Sequence, residues 1–249
     1  MKQLIKLFLL WVSSVLHRNH KSKILFYHDI YRTINYKALD IDVHMGTHID
    51  MFKKHVDVIH KEGFEIVQQI TKPNGQVAIM LDDGFRGIYE VKDFFIENNI
   101  LPTIFLPFGH IGEDCLLSKE EILDLQNSGF RFECHSWSHT DLTSFSDEEL
   151  RRELGDSKKL LNTILGKEVN EICLPIGYFS NHLIQQLRLY GYKEVYSSIP
   201  GNYMEPIHGW LRTRNLCQFS SPIEVKYILR GGNEMIKKDM KECIIENKV

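Results

Sequence analysis

The chain has five cysteines, Cys115, Cys134, Cys173, Cys217 and Cys243, and no CxxC spacing. An odd number without paired spacing excludes a closed disulfide framework and a cysteine zinc knuckle, so all five are read as free thiols. That usage favours a reducing, cytoplasmic setting. A basic stripe is also missing. With 30 Lys+Arg against 33 Asp+Glu the net charge is −3, which argues against a nucleic-acid partner, and there is no acidic tail that would argue for disorder. No linker, low-complexity tract or fixed-period repeat divides the 249 residues, so residues 21–249 are expected to form one domain.

A long apolar run is lacking too. The longest, "LIKLFLLWVSSVL" at 4–16, would make a helix roughly 20 Å long at about 1.5 Å per residue, too short for a bilayer core of about 30 Å. No small-x-small cleavage site follows it, only the basic "HRNHKSK". Residues 1–20 are therefore expected to be a separate segment, either a helix lying on an anionic membrane surface or one packed on the protein's own core. The corresponding location is the cytoplasm, peripheral on a membrane, with export left open.

What the chain does have is alternation. "KILFYH" (23–28), "QVAIML" (76–81), "PTIFLPF" (102–108), "FRFEC" (130–134), "EICLP" (171–175), "EVYSSI" (194–199) and "WLRTRNL" (210–216) are strand-like. Between them fall helical patterns such as 47–64, whose stripe of Met51, Phe52, Val56 and Ile59 ends near Gly63. Ser118 with Glu121, and Ser146 with Glu149, match capping boxes. Strands taking turns with helices predict a parallel sheet covered by helices, and six to eight such units at this length favour an α/β barrel over a doubly wound open sheet.

In such folds ligands bind at the C-terminal ends of the strands. Four polar clusters stand there: His28 and Asp29, Asp82 and Asp83, His135 and His139, and Pro175-Ile176-Gly177. A lone "DDG" is more often a turn than a site. Two imidazoles and a carboxylate are a common three-ligand set for a catalytic divalent ion, with positions left for water and substrate. Adjacent aspartates on a strand point to opposite sides, so one can bind the metal while the other acts as a base.

At these residues the sequence resembles the polysaccharide deacetylase family, also called the NodB-homology or carbohydrate esterase 4 family. "MLDDG" resembles its first motif, which implies that Asp82 is the base and Asp83 a ligand. "HSWSH" matches its HxxxH motif, which makes His135 and His139 ligands. "CLPIGY" resembles the third motif, whose backbone N–H after the proline, here that of Ile176, helps form the oxyanion hole. "LFYHDI" is similar to the branch that carries its general-acid histidine early in the chain, here His28. The resemblance implies a distorted (β/α)7 TIM-like barrel and one divalent ion, Zn2+ before Co2+, Ni2+ or Fe2+. It also implies hydrolysis of an N-acyl group, acetyl first, from an amino sugar of a polysaccharide or glycan precursor.

Two positions depart from the family pattern: Cys173 stands where the third motif carries Arg, and Ile176 where it carries Tyr. The missing cation would pair with the base, and Arg86, Arg212 or Arg214 could replace it; without one, the pKa of Asp82 should sit high. Arg86, Arg214, Pro175 and Trp137 are also expected beside the substrate, Trp137 either stacking on a sugar or simply packing. His208 is the rival to His28 as acid. The remaining histidines are read as surface or loop residues, and Phe94, Phe95, Phe105 and Phe108 as core. Two other readings stand beside the deacetylase. One is a hydrolase of another small amide, or of a lipid- or nucleotide-linked sugar, on the same scaffold. The other is a carbohydrate-binding relative that has lost turnover.

Overall fold

Strands whose apolar residues run almost without interruption should be covered on both faces, and they are. The computed structural model describes residues 2–34 and 46–234; His44 and Cys243 lie outside them. The strands are β1 (Lys23–Tyr27), β2 (Asp29–Tyr31), β3 (Gly46–His48), β4 (Glu65–Val67), β5 (Gln76–Leu81), β6 (Thr103–Leu106), β7 (Arg131–Cys134), β8 (Glu171–Cys173), β9 (Glu194–Tyr196), β10 (Leu211–Arg212) and β11 (Asn215–Leu216). The helices are α1 (Lys2–Leu16), α2 (Ile49–Lys61), α3 (Gly87–Glu90), α4 (Lys92–Glu97), α5 (Lys119–Asn127), α6 (Asp147–Leu150), α7 (Ser157–Leu165), α8 (Asn181–Leu189) and α9 (Pro222–Leu229). The main sheet is parallel throughout, in the order β10-β9-β8-β7-β6-β5-β1-β11, with β4 added on β5.

The edges of this sheet decide between barrel and open sheet. Laid flat, eight strands would hold β10 and β11 about 34 Å apart, at about 4.8 Å per step. Only Thr213 and Arg214 separate these strands in the chain, and three peptide steps reach at most about 11 Å. The sheet therefore curls until its edges nearly meet, and the fold is a distorted (β/α)7 barrel. "WLRTRNL", expected as one strand, is two short ones on opposite edges. The turn between them is held where Arg214 N–H donates to Ile199 O at 3.0 Å.

The two-residue period of the strands sorts the side chains. Ile24, Phe26, Ala78, Met80, Phe105, Cys173 and Tyr196 fill the barrel interior. Their alternates, among them Leu25, Tyr27, Val77, Ile79 and Ile104, face the helices and join the larger core. Continuing that alternation to the strand ends puts His28, Asp82 and His135 on the inner side. The boxes at Ser118 and Ser146 cap α5 and α6 as expected, and Ser221 with Glu224 caps α9. The pattern at 146–166 is not one helix: a π-helical turn, Arg151–Asp156, interrupts it, and Gly155 there lies so close to Tyr190 that a Cβ would fall 2.8 Å from the ring. Likewise 88–99 breaks at Val91 into α3 and α4.

Residues 1–20 contain α1, which rests its narrow side on α9 through Leu10, Ser13 and Ser14 and leaves most of its apolar residues in solvent. Among the described residues no helix is long and apolar enough to cross a membrane.

Candidate active site

The four strand-end clusters converge on one cavity of about 520 Å³, lined in part by Phe26, His28, Asp82, His135, His139 and Ile176. The strands that carry them are neighbours or near neighbours in the sheet, so their C-terminal ends open on the same side.

Asp82 continues the inward alternation of β5, whereas Asp83 breaks it. Asp83 adopts φ 68°, a left-handed conformation that bends the chain at Gly84 and turns the second carboxylate back toward β7. Its Oδ1 lies 2.9 Å from His139 Nε2 and 3.3 Å from His135 Nε2. Neither approach has hydrogen-bond geometry, and Asp83 Oδ1 is buried with no hydrogen-bond partner. The ligand atoms of all three residues fall within 4.8 Å of one another. His135 Nδ1 sits 2.8 Å from Cys173 O, and the backbone carbonyl can only accept. The proton is thereby fixed on Nδ1 and the Nε2 lone pair is left for the site. A buried carboxylate oxygen and two imidazole nitrogens facing one point without bonding one another fit a divalent cation. Burial alone would raise the Asp83 pKa, but the two imidazoles outweigh it and hold the carboxyl well below its ordinary range.

Asp82 is paired differently. Arg214 donates to both its oxygens, at 2.7 and 2.8 Å, and also to Ser197 O and to Cys173 Sγ. Its guanidinium lies 4.1 Å from the Phe26 ring centroid, and the side chain is fully enclosed. The cation expected from the third motif is therefore supplied from the turn between β10 and β11. Burial favours the neutral Asp82, but the charge and hydrogen bonds of Arg214 prevail and its pKa is lowered, not raised as the absence of the motif arginine suggested. Burial pushes the Cys173 thiol well up, so it stays neutral, accepting from Arg214 and facing Asp82 Oδ2 at 3.6 Å.

His28 stands opposite, its Nε2 4.0 Å from Asp83 Oδ2. Gln218, just past β11, accepts from the His28 backbone N–H at 3.1 Å and closely contacts Nδ1, so the ring is held with Nε2 toward the cavity. Gln218 was not singled out from sequence; its place directly after the last strand is the only signal that could have found it. Asp29 turns away and accepts from the Gly87 and Ile88 amides, fixing the start of α3. Ile176 reaches the rim with φ 61° and its side chain half-exposed.

Several expected contacts fall elsewhere. Arg86 points to Glu121 at 2.7 Å, Arg212 pairs with Glu194, and enclosed Arg214 has no surface to offer a substrate. Pro175 is buried behind Ile176, and Trp137 is packed between Phe108 and the Arg152 guanidinium instead of lining the cavity. His208 lies outside the cavity, its ring 6.0 Å from that of Phe179. His55, read as a surface residue, is fully buried between Tyr27 Oη at 3.0 Å and Ser220 O at 2.9 Å. Burial holds its pKa down to about 4, so it is a neutral core histidine. Phe95 and Phe105 are fully buried, and Phe94 and Phe108 pack against the core.

Comparison with known proteins is consistent with this geometry. The family described as polysaccharide deacetylase matches residues 69–195, a span that holds Asp82, Asp83, His135, His139 and Ile176 but neither His28 nor Arg214. YxkH of Bacillus subtilis (strain 168) is 24% identical over 161 residues, 60% of this chain and 58% of that one. The peptidoglycan-N-acetylmuramic acid deacetylase PdaA of the same organism is 25% identical over 126 residues, 49% of this chain and 46% of that one. The chain thus matches only about half the length of these curated relatives. Among solved structures, Streptococcus pyogenes deacetylase PplD in complex with acetate superposes with TM-score 0.73 at 19% identity, over 84% of this chain and 98% of that one. IcaB from Ammonifex degensii does so with TM-score 0.72 at 17% identity, over 86% and 98%. At these identities the likeness establishes the shared fold.

Proposed function

The chain belongs to the polysaccharide deacetylase family, and from that premise we propose that it removes an N-acyl group, acetyl first, from an amino sugar of a polysaccharide or glycan precursor. The observation that carries the proposal is the juxtaposition of two differently prepared carboxylates. Asp83 faces two imidazoles with an unpartnered oxygen, while Asp82, one residue earlier, is locked to Arg214.

Asp83, His135 and His139 would hold one divalent ion, Zn2+ before Co2+, Ni2+ or Fe2+. The ion would supply polarisation of the amide carbonyl and acidification of water. Everything else falls to the chain. Asp82, kept ionised by Arg214, takes the proton of the attacking water. The Ile176 backbone N–H donates to the oxygen that becomes negative, a contribution of about 3 kcal/mol per donor. His28, held by Gln218, gives a proton to the departing nitrogen. The products are a free amine and a carboxylate. PdaA is named for an N-acetylated sugar of peptidoglycan, and the cavity here, with Ser198 and Asn233 among apolar walls, has room for a sugar ring bearing an acyl group. The binding-module reading drew its support from the missing arginine, and Arg214 fills that place.

The test is release of amine from a panel of N-acetylated sugars by the metal-loaded protein. Wild type should release it, and Asp82→Asn should retain the metal and the fold but lose turnover by at least about a hundredfold. Silence of the wild type on every sugar, with the ion bound, would leave the binding module as the better account.

A further inference from the structure

An amphipathic helix normally buries its apolar face, and α1 does the reverse. It turns Ser13 and Ser14 inward together with Leu10, while Leu4, Ile5, Phe8, Trp11, Val15 and Leu16 face solvent. Leu4 is 72% exposed and Phe8 58%. The orientation is fixed. Ser13 Oγ–H donates to Gly231 O at 3.2 Å, and Lys6 pairs with Glu224 at 3.0 Å. The backbone passes so close to Gly232 that a Cβ there would lie 3.0 Å from Leu10 O. Between α1 and α9 runs an apolar groove of about 300 Å³, lined by Leu4, Leu7, Phe8, Trp11 and Tyr227.

Charge is distributed to match. Of the chain's 30 Lys+Arg, five fall in the first 28 residues, and of its 33 Asp+Glu none does. An otherwise acidic protein therefore carries one segment with no acid of its own, and that segment holds the exposed apolar face; within it Lys23 is buried, Lys6 and Lys21 pair with Glu224 and Glu205, and Arg18 is exposed. The face also leads to the catalytic mouth. The Lys6–Glu224 pair sets the start of α1 beside the first turn of α9, where Ile223 and Phe219 are exposed, and Gln218, next to Phe219, touches His28.

We propose that the outer face of α1, continued by Phe219 and Ile223, docks on an anionic lipid bilayer. The apolar side chains enter the headgroup boundary, exposed Arg18 and half-exposed Lys6 and Lys21 meet the lipid charge, and the cavity mouth is held near the membrane surface. A second copy of the chain is the poorer occupant, since face-to-face packing would bring two acid-free basic segments together.

The experiment is co-sedimentation of the full chain with vesicles of phosphatidylglycerol and phosphatidylcholine in equal parts, against phosphatidylcholine alone. Binding to the mixed vesicles should be at least about tenfold tighter and should weaken with added salt. The double substitution Phe8→Glu and Trp11→Glu should abolish it without lowering the unfolding temperature, because both side chains are largely exposed; truncation would instead uncover the core under Leu10. Failure of the wild type to bind, equal binding by the double variant, or a soluble dimer that the double variant splits would each overturn the proposal. None of these measurements reads turnover, so the docking surface and the deacetylase stand or fall separately.

Discussion

Substituting Arg214 by Met would leave the Asp82 carboxylate buried beside a neutral thiol with its counter-charge removed. Breaking a buried pair on one side costs about 3–5 kcal/mol, so the variant should unfold at clearly lower denaturant. The pH dependence has a definite sign. Asp82 has a folded pKa below its ordinary value, so it contributes stability that is present above the unfolded pKa and lost as pH falls through the folded one. In Arg214→Met burial loses its main opponent, with only His135 and His28 still acting against it, so the pKa rises and the acid limb of the pH–rate profile should move up. Cys173→Arg in that background should restore part of the shift if the thiol stands where a guanidinium could reach Asp82. An acid limb unchanged in Arg214→Met would show that another group sets the state of Asp82. The residue types of this site were legible in the sequence, but the pairing was not. Arg214 lies 132 positions from Asp82, and nothing local distinguished it from Arg86 or Arg212. His55 escaped for another reason: it sits on the stripe of Phe52, Val56 and Ile59, and a lone histidine on an apolar face is easily taken for a solvent residue.

Elements explain how strand ends become a site. The period of a strand predicts which side chains point inward, and it holds up to Asp82. Beyond that, the site depends on breaks in the period. Asp83, Ser136, His139 and Ile176 all take positive φ, though none is glycine, and all lie just past β5, β7 or β8. Such strain, of order 1–3 kcal/mol each, is invisible to periodicity and is held by the surrounding barrel. Ile176 offers a clean test because its side chain is half-exposed while its backbone is the proposed donor. Ile176→Gly removes β-branched strain worth about 1–2 kcal/mol and adds unfolded-chain entropy worth about 1 kcal/mol. Stability should therefore stay level or rise, and turnover should persist within a few-fold because the N–H remains. A large loss of activity with the fold intact would assign the work to the isoleucine side chain.

At the scale of the whole molecule, alternation of strand and helix was enough to expect a parallel sheet, but closure depended on two residues. Thr213 and Arg214 carry the chain from one edge of the sheet to the other, and a single apolar run around them conceals the switch. Since Arg214 also grips Asp82, closing the barrel and charging the site are one structural event. The candidate metal set ties together two strand ends on either side of β6, the β5 end through Asp83 and the β7 end through His135 and His139. A ligand that binds only the folded chain stabilises it by about 2.7 kcal/mol at a hundred times its Kd. For a domain of this size that corresponds to a rise in Tm of about 5–10 °C. Adding zinc to chelator-treated protein should therefore raise Tm until about one equivalent is bound, and His135→Ala or Asp83→Asn should remove the rise. The effect should also shrink with acidity. Burial works against a charged His139, but Asp83 outweighs it and raises its pKa above the ordinary value, so protons compete with the ion for that imidazole as pH falls. Scanning calorimetry with and without zinc, at about pH 8 and about pH 5.5, checks both points. If His135→Ala and Asp83→Asn gain as much Tm from zinc as the wild type, the ion binds elsewhere, and the unpartnered oxygen of Asp83 needs another explanation.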